Sequence, residues 1–359
     1  MSEPLRVGIV GSGDVTKLYL ADRDRYPDYR FVACADLDPA RAAALSAKGG
    51  FPSVTVDALI ADPSIDLVLN LTPPTAHAAV SRSAIAAGKH VYSEKPLATS
   101  RADATAIITE AAAAGVHVGG APDTFLGGGL QTARALIDEG AIGEPIAASA
   151  TFLHLGPESW HPNPAFFYQR GGGPLLDIGP YYVTALVALL GPVASVEAIG
   201  RGVGSTRTVG AGPMAGQTVT SEVPTTSVAT LTFQDGVVGS FTASFDVVAT
   251  RMPEFEIHGT SGSLALGDPN WFDGMVALRT LDDASEAWTD VPLRFDPRAG
   301  RGIGLADLAQ AIRDGRPARA SGALAYHVLD VLLSIEEAVA SGARRTIRSS
   351  VERPAPLPD

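Results

Sequence analysis

Residues 5–20 read LRVGIVGSGDVTKLYL. An apolar run ends at Val10, passes into G-x-G-x-x-T, and continues as a helical pattern. Gly11 allows a tight turn, and Gly13 lets the backbone approach a pyrophosphate at the start of the following helix. The third position, usually Gly or Ala, is Thr16, which is still small enough for close packing. A lone G-x-G can serve strand–helix geometry alone. Its place between a first strand and a first helix gives it weight here. Gly11, Ser12, Gly13, Asp14 and Val15 are therefore expected to hold a dinucleotide.

Working outward, apolar runs at 5–10, 30–36, 66–71, 90–93 and 116–120 read as strands buried on both faces. Helical segments lie near 15–26, 39–48, 75–87 and 100–114. Gly88 and Gly115 stand where left-handed C-caps are wanted, and Thr75 and Ser100 where N-caps are expected. Short connections between alternating strands and helices predict a parallel, doubly wound Rossmann sheet. The second strand ends in Asp36, 25 residues beyond Gly11 (36 − 11). A carboxylate there accepts the adenosine ribose hydroxyls and repels a 2′-phosphate, which favours NAD(H) over NADP(H). Asp38, just before Pro39, takes the N-cap of the next helix and leaves Asp36 for the ribose.

Beyond about residue 122 the texture changes. Helices are expected at 129–139, 178–190, 303–314 and 321–341. Alternating runs at 144–153, 193–200, 226–234, 237–246, 253–259, 263–267, 275–280 and 288–294 predict a large, open, mainly antiparallel sheet. The glycine-rich stretch 201–225 reads as a long loop or hairpin tip. The fold class is thus α/β, with a Rossmann domain over 1–122 and an α+β domain over 123–359. The last helices have the option of packing back on the first domain.

The chain has 359 residues, enough for two such domains, and a formal net charge of −12. That charge argues against nucleic acid or an anionic membrane surface as the main partner. The one cysteine, Cys34, sits in an apolar run and can form no disulfide within the chain. The N-terminus leads almost directly into a strand, with no room for a signal sequence, and no apolar stretch approaches a membrane span. A soluble, cytoplasmic protein is expected. No His, Cys or Asp cluster has metal-ligand spacing, so no metal is expected.

Residues 70–98 read NLTPPTAHAAVSRSAIAAGKHVYSEKPLA. Here the chain resembles the Gfo/Idh/MocA family, named for glucose–fructose oxidoreductase, inositol dehydrogenase and rhizopine catabolism. TPPTAH, AGKHV and EKPLA match its pattern in order and spacing, and GEP (143–145) and GGGPLLDIG (171–179) continue it. The resemblance implies a Rossmann domain followed by an open-sheet domain that forms the oligomer interface, giving a homodimer or homotetramer. It also implies NAD(P)-dependent oxidation or reduction of a sugar, glycoside or cyclitol. Thr72, Pro73 and His77 would shape the nicotinamide pocket, and Glu94 would position the cofactor. Lys95 would reach the substrate hydroxyl, with Pro96 stiffening the turn.

In LLDIGPYYVT (175–184) the family commonly carries Asp-x-Gly-x-His, and this chain has Tyr181 at the histidine position, as some branches do. A helix starting near Asp177 would put Pro180 in its first turn and set Asp177 and Tyr181 at i and i+4 on one face. A free phenol titrates near 10 and needs a cation to favour its anion, which Lys95 would supply. Tyr181 would then exchange the substrate proton, and Asp177 would orient Lys95 and bind a neighbouring hydroxyl. The competing reading is a helix cap plus packing, which is also the role expected of Tyr182. Upstream, Trp160 is a candidate for stacking on a sugar ring and His161 for bonding its hydroxyls. The alternative there is a surface loop around a buried tryptophan. Two rival functions share the same motifs: a glycosidase using bound NAD for transient oxidation, and a non-catalytic sugar or nucleotide sensor.

Overall fold

The computed structural model describes residues 3–358. The opening stretch forms β1 (Leu5–Val10) followed by α1 (Thr16–Asp22). There follow β2 (Tyr29–Ala35), α2 (Pro39–Gly49), α3 (Val56–Ala61), β3 (Leu67–Asn70), α4 (Pro74–Ala86), β4 (His90–Ser93), α5 (Arg101–Ala114) and β5 (Val118–Gly120). The strands make a parallel sheet in the order β2-β1-β3-β4-β5. Val7, Ile9, Leu67, Val68, Leu69 and Val91 are fully buried. Helices on both faces leave no solvent side, which is why these strands are apolar throughout.

Local chemistry sets the helix ends. Asp38 caps α2, its carboxylate accepting from Ala40 N at 2.9 Å, with Pro39 at the first helical position. Ser100 caps α5 by accepting from Asp103 N at 3.1 Å. Thr75 is not a cap. α4 starts one residue earlier, at Pro74, whose missing N–H costs nothing in a first turn. The six-residue α3, capped by Thr55, is too short to print a helical period and was not expected from sequence.

The second unit begins with α6 (Gly128–Asp138) and β6 (Pro145–Leu153), then α7 (Gly173–Asp177) and α8 (Gly179–Leu190). After them come β7 (Val193–Arg201), the hairpin β8 (Thr206–Thr208) and β9 (Thr218–Thr220), β10 (Thr226–Phe233) and β11 (Val238–Ser244). β12 (Phe255–Gly259), β13 (Gly262–Leu266), β14 (Val276–Thr280) and β15 (Thr289–Asp290) complete the run. α9 (Ile303–Asp314) lies within Ala299–Tyr326, which clusters with the first unit. α10 (Gly322–Ser341) and β16 (Arg345–Thr346) end the chain's regular structure.

The large sheet has nine strands in the order β15-β14-β13-β12-β6-β11-β10-β7-β16. Among the described residues only the β6–β11 pair is parallel, so the sheet is mixed and mainly antiparallel. Every residue of α8 is buried, as an all-apolar helix requires. Tyr182 on α8 stacks on Phe241 at 5.6 Å and meets Phe152 edge-on at 6.2 Å, a packing role. Gly127, Gly128 and Gly129 sit where side chains have no room. A Cβ on them would lie 2.2 Å from Phe272 O, 2.9 Å from Phe295 O and 2.3 Å from Gly274 O. They let the start of α6 pack against backbone of its own unit.

One helix expectation needs correction. Asp177 and Tyr181 do not share a continuous helix, because α7 ends at Asp177 and α8 starts at Gly179, with Ile178 between them at φ −105°. Pro180 explains the break: it has no N–H to give the carbonyl four residues back. It still occupies the first turn of α8, and Tyr181 N closes that turn on Ile178 O at 3.0 Å.

Candidate functional site

In the first unit, Gly11 takes φ +99°, and a Cβ on it would lie 2.5 Å from Leu71 O. A Cβ on Gly13 would meet nothing within 4 Å. The first glycine thus seats the turn against the strand end at Leu71, while the second leaves open space where a phosphate can approach. Thr16 is buried and its hydroxyl donates to Gly11 O at 3.2 Å, which explains how threonine serves at a position usually held by Gly or Ala. Asp14 is exposed and pairs with Lys17, and Val15 takes the N-cap position of α1.

Asp36 sits at the end of β2, where Ser12 donates to its Oδ2 from N at 2.8 Å and from Oγ at 2.5 Å. Asp38 N donates to Oδ1 at 2.9 Å. Burial alone would push this carboxyl up, but the Ser12 hydroxyl and the two amides outweigh it and hold it below its ordinary value. The carboxylate is therefore ionised and fixed in place.

Around the ends of β3 and β4 a second group forms. Asn70 is fully buried; its Nδ2 donates to His77 O and Ser81 Oγ, each at 3.0 Å, while its Oδ1 accepts from Thr72 Oγ1 at 2.7 Å. The His77 ring lies 2.7 Å from two backbone carbonyls, Pro96 O at Nδ1 and Thr72 O at Nε2, and a neutral ring donates to one of them. Burial pushes its imidazole down, and the two carbonyls oppose that. Glu94 is buried, accepting from Lys95 N at 3.1 Å and from the Tyr19 hydroxyl at 3.3 Å. Burial, with Glu94 next, holds the Tyr19 phenol neutral. The Lys95–Pro96 peptide is cis. Around His77, the turn after β3 (Thr72, Pro73) and the turn after β4 (Glu94, Lys95, Pro96) thus come together at the carboxyl ends of parallel strands, where open α/β sheets place ligands.

The second unit holds the other four candidates. Tyr181 is buried on the first turn of α8, and Asp177 is half-buried at the end of α7. Trp160 is 63% exposed, so the buried-tryptophan alternative does not hold; His161 packs edge-on against Trp160 and Phe167. Among the described residues, no group of three or more His, Cys, Asp or Glu is placed to hold a metal ion. No described helix is long and apolar enough to cross a membrane.

Sequence reading missed Asp123. It is fully buried, accepts from Gly302 N at 3.2 Å and Gly304 N at 3.1 Å, and pairs with Arg301 at 3.3 Å. Burial raises its carboxyl, with Arg301 opposing. Its only sequence signal is a lone acid in the apolar, glycine-rich GGAPDTFLGGG.

Comparison with known proteins agrees with this geometry. Residues 5–120 match the oxidoreductase family with the NAD-binding Rossmann fold, and residues 130–265 match the GFO/IDH/MocA C-terminal domain. The chain is 30% identical over 355 residues to 1,5-anhydro-D-fructose reductase of Ensifer adhaerens, covering 96% of this chain and 99% of that one. It is 28% identical to levoglucosan dehydrogenase of Pseudarthrobacter phenanthrenivorans over 72% of this chain and 73% of that one. A solved levoglucosan dehydrogenase in complex with NADH and L-sorbose superposes with a TM-score of 0.81 at 24% identity, over 96% of this chain and 99% of that one, a likeness of fold. The chain belongs to the GFO/IDH/MocA family of oxidoreductases, with an NAD-binding Rossmann domain.

Proposed function

We propose that the chain interconverts a secondary alcohol and a ketone on a sugar, glycoside or cyclitol, with NAD as the redox partner. The observation that carries this is the Glu94-Lys95-Pro96 turn, held by His77 at Pro96 O and by the Glu94 carboxylate at Lys95 N. A lysine fixed at its backbone in an NAD-binding unit suits an ammonium that holds a substrate oxygen. The names of the relatives, sugar reductases and dehydrogenases, support the substrate class.

NAD, when bound, supplies a nicotinamide C4 that takes or gives the hydride. The chain's own groups do the rest. Gly13 and the amides around it receive the pyrophosphate, and Asp36 accepts the ribose hydroxyls. Lys95 holds the reacting oxygen and stabilises the negative charge that grows on it. Tyr181 takes the proton of the alcohol during oxidation and returns it during reduction. Asp177 orients Lys95 and binds an adjacent hydroxyl, while Trp160 and His161 contact the substrate. This assignment places the chain in the branch with tyrosine where relatives carry the histidine.

The test is NADH absorbance against a panel of sugars, glycosides and cyclitols, with Tyr181→Phe and Lys95→Ala beside the wild type. Loss of about a hundredfold or more in kcat in both variants, with NADH still bound, is expected for a proton-transfer pair. Full turnover in Tyr181→Phe would reduce Tyr181 to packing. Cleavage of a glycoside without net NADH would instead favour transient oxidation, and NAD or sugar binding without any chemistry would favour a sensor.

We also propose that the open face of the large sheet joins two or four copies. Ile199, Val228 and Val238 project from that face, 73%, 41% and 55% exposed, and Val228 lies directly opposite Ile199 across the β10–β7 pair. Thr230, Thr232, Ser240 and Thr242 lie between them on the same face, and exposed aliphatic side chains set among small polar ones suit a self-association surface. A buried free thiol at Cys34 fits a cytoplasmic setting.

A further inference from the structure

The segment between β6 and α7 contains an exposed aromatic cluster on an unusually firm base. Trp160 and His161 lie 5.4 Å apart by ring centroid, His161 and Phe166 5.5 Å, and Phe166 and Phe167 4.0 Å. Trp160 and Phe166 are 63% and 49% exposed. The ends of the cluster are tied by a half-buried ionic knot. The Tyr168 hydroxyl donates to the Glu158 carboxylate. Arg207, from β8, pairs with Glu158 at 3.5 Å and with the Asp246 carboxylate, and its guanidinium lies 5.8 Å from the centre of the Tyr168 ring. Asp246 also accepts from the Thr225 and Thr226 hydroxyls at 2.8 and 2.6 Å. Backbone bonds add to this: Gly210 N donates to Glu158 O and Glu222 N to Tyr168 O, each at 2.7 Å. Burial, then Glu158, raises the Tyr168 phenol, so it remains a neutral donor.

One guanidinium thus serves two carboxylates and covers an aromatic ring, a planar fork that lysine does not reproduce. Left unanchored, a loop bearing large apolar rings would fold them against the protein surface. This loop holds two of them out in water, and rigidly placed, half-exposed aromatics are a binding feature. A reacting carbon must be shielded from water, whereas Trp160 and Phe166 stand largely in it. They therefore suit a part of the ligand that stays partly solvated. The same loop packs on α7, the helix that ends at Asp177.

We infer that Trp160 and Phe166 form a platform for a saccharide ring other than the one oxidised or reduced, and that Arg207 is the positioning residue of that platform. This rests on the sugar oxidoreductase reading above and narrows its substrate to glycosides with a second ring. Faces of pyranose rings are apolar C–H surfaces that lie flat on indole and phenyl rings, while their hydroxyls remain hydrated.

The experiment compares KM and kcat for methyl glucoside, cellobiose and maltose in the wild type, Trp160→Ala, Arg207→Gln and Arg207→Lys. Calorimetric binding of the same three sugars to the NADH-loaded protein accompanies it. The expected result is a rise in KM and Kd for the two-ring sugars roughly tenfold beyond any rise for methyl glucoside in Trp160→Ala and Arg207→Gln. Arg207→Lys should recover part of the loss. If Arg207→Gln does not fold, Trp160→Ala alone decides, since its side chain is mostly exposed. Equal effects on one-ring and two-ring sugars, or none, would overturn the inference. So would a drop in oligomeric mass in Trp160→Ala without the two-ring effect, which would assign the patch to a second copy. A silent redox assay with two-ring binding that depends on Trp160 would sink the proposed activity and leave the platform standing.

Discussion

At the scale of single residues, the two glycines of the phosphate turn have opposite duties. Gly11 has both a left-handed φ and a Cβ position 2.5 Å from Leu71 O, so Gly11→Ala strains the fold itself. Gly13 faces open space, and Gly13→Ala leaves the chain intact but puts a methyl group where a phosphate belongs. Thermal unfolding and NADH titration of the pair separate the duties. Gly11→Ala is expected to lose about 1–3 kcal/mol of stability together with cofactor affinity. Gly13→Ala is expected to melt like the wild type and bind NADH at least tenfold more weakly. A Gly13→Ala variant with full affinity would mean that the pyrophosphate does not approach there.

Between elements, the group that looks most like a second catalytic site is a lock. His327 on α10 accepts from Val193 N, at the start of β7, through Nε2 at 3.1 Å. Nδ1 must therefore hold the ring proton, which it donates to Ser349 Oγ at 2.9 Å, and Ser349 donates on to Asp330 Oδ2 at 2.9 Å. The serine proton points away from the histidine, so the trio is no Ser-His-Asp nucleophile; it joins α10, β7 and the C-terminal segment. Burial pushes His327 down to about 4, with Asp330 opposing. The unfolded chain, with its histidine near 6.5, binds this proton more readily than the folded one. Stability is then fully kept above about pH 6.5 and is lost as pH falls towards 4, by at most about 3 kcal/mol. Urea unfolding between pH 7 and 4.5 should show this slope, and His327→Gln should lessen it, leaving the share of His90, which burial also pushes down to about 4. An identical slope in the variant would place the acid sensitivity elsewhere.

Over the whole molecule, the chain is used non-sequentially. Ala299–Tyr326 clusters with the first 126 residues, while the polypeptide from His327 onward clusters with Gly127–Arg298. Within the first unit, Asp123 holds the start of the returning segment by accepting from Gly302 N and Gly304 N. The large sheet meanwhile presents Ile199, Val228 and Val238 on one face. A charge at the centre of that face, Val228→Asp, should shift the mass measured by light scattering to that of one chain, leaving NADH binding in the first unit unchanged. An unchanged oligomer would mean that the copies meet through another surface, and a single-chain wild type would remove the proposed assembly.

What the sequence determined alone was whatever local chemistry decides. Strand order of appearance, the caps at Asp38 and Ser100 and the glycine spacing of the phosphate turn were legible because each depends on neighbours a few residues away, and the EKP segment was legible through the family resemblance. α9 was legible to the residue, since an apolar period bounded by Gly302 and Gly315 leaves its ends little choice. Tertiary structure decided the rest. The α7–α8 break beside Pro180 depends on how two short helices seat on the sheet. The use of Gly127–Gly129 depends on backbone from residues 272–274 and 295–296, more than a hundred positions away. Arg207, Asp123 and His327 look like ordinary surface or core residues in sequence. Their partners lie 49, 178 and 134 positions off. Polar side chains of that kind acquire a role only when the fold removes them from water and leaves one another as the remaining hydrogen-bond partners.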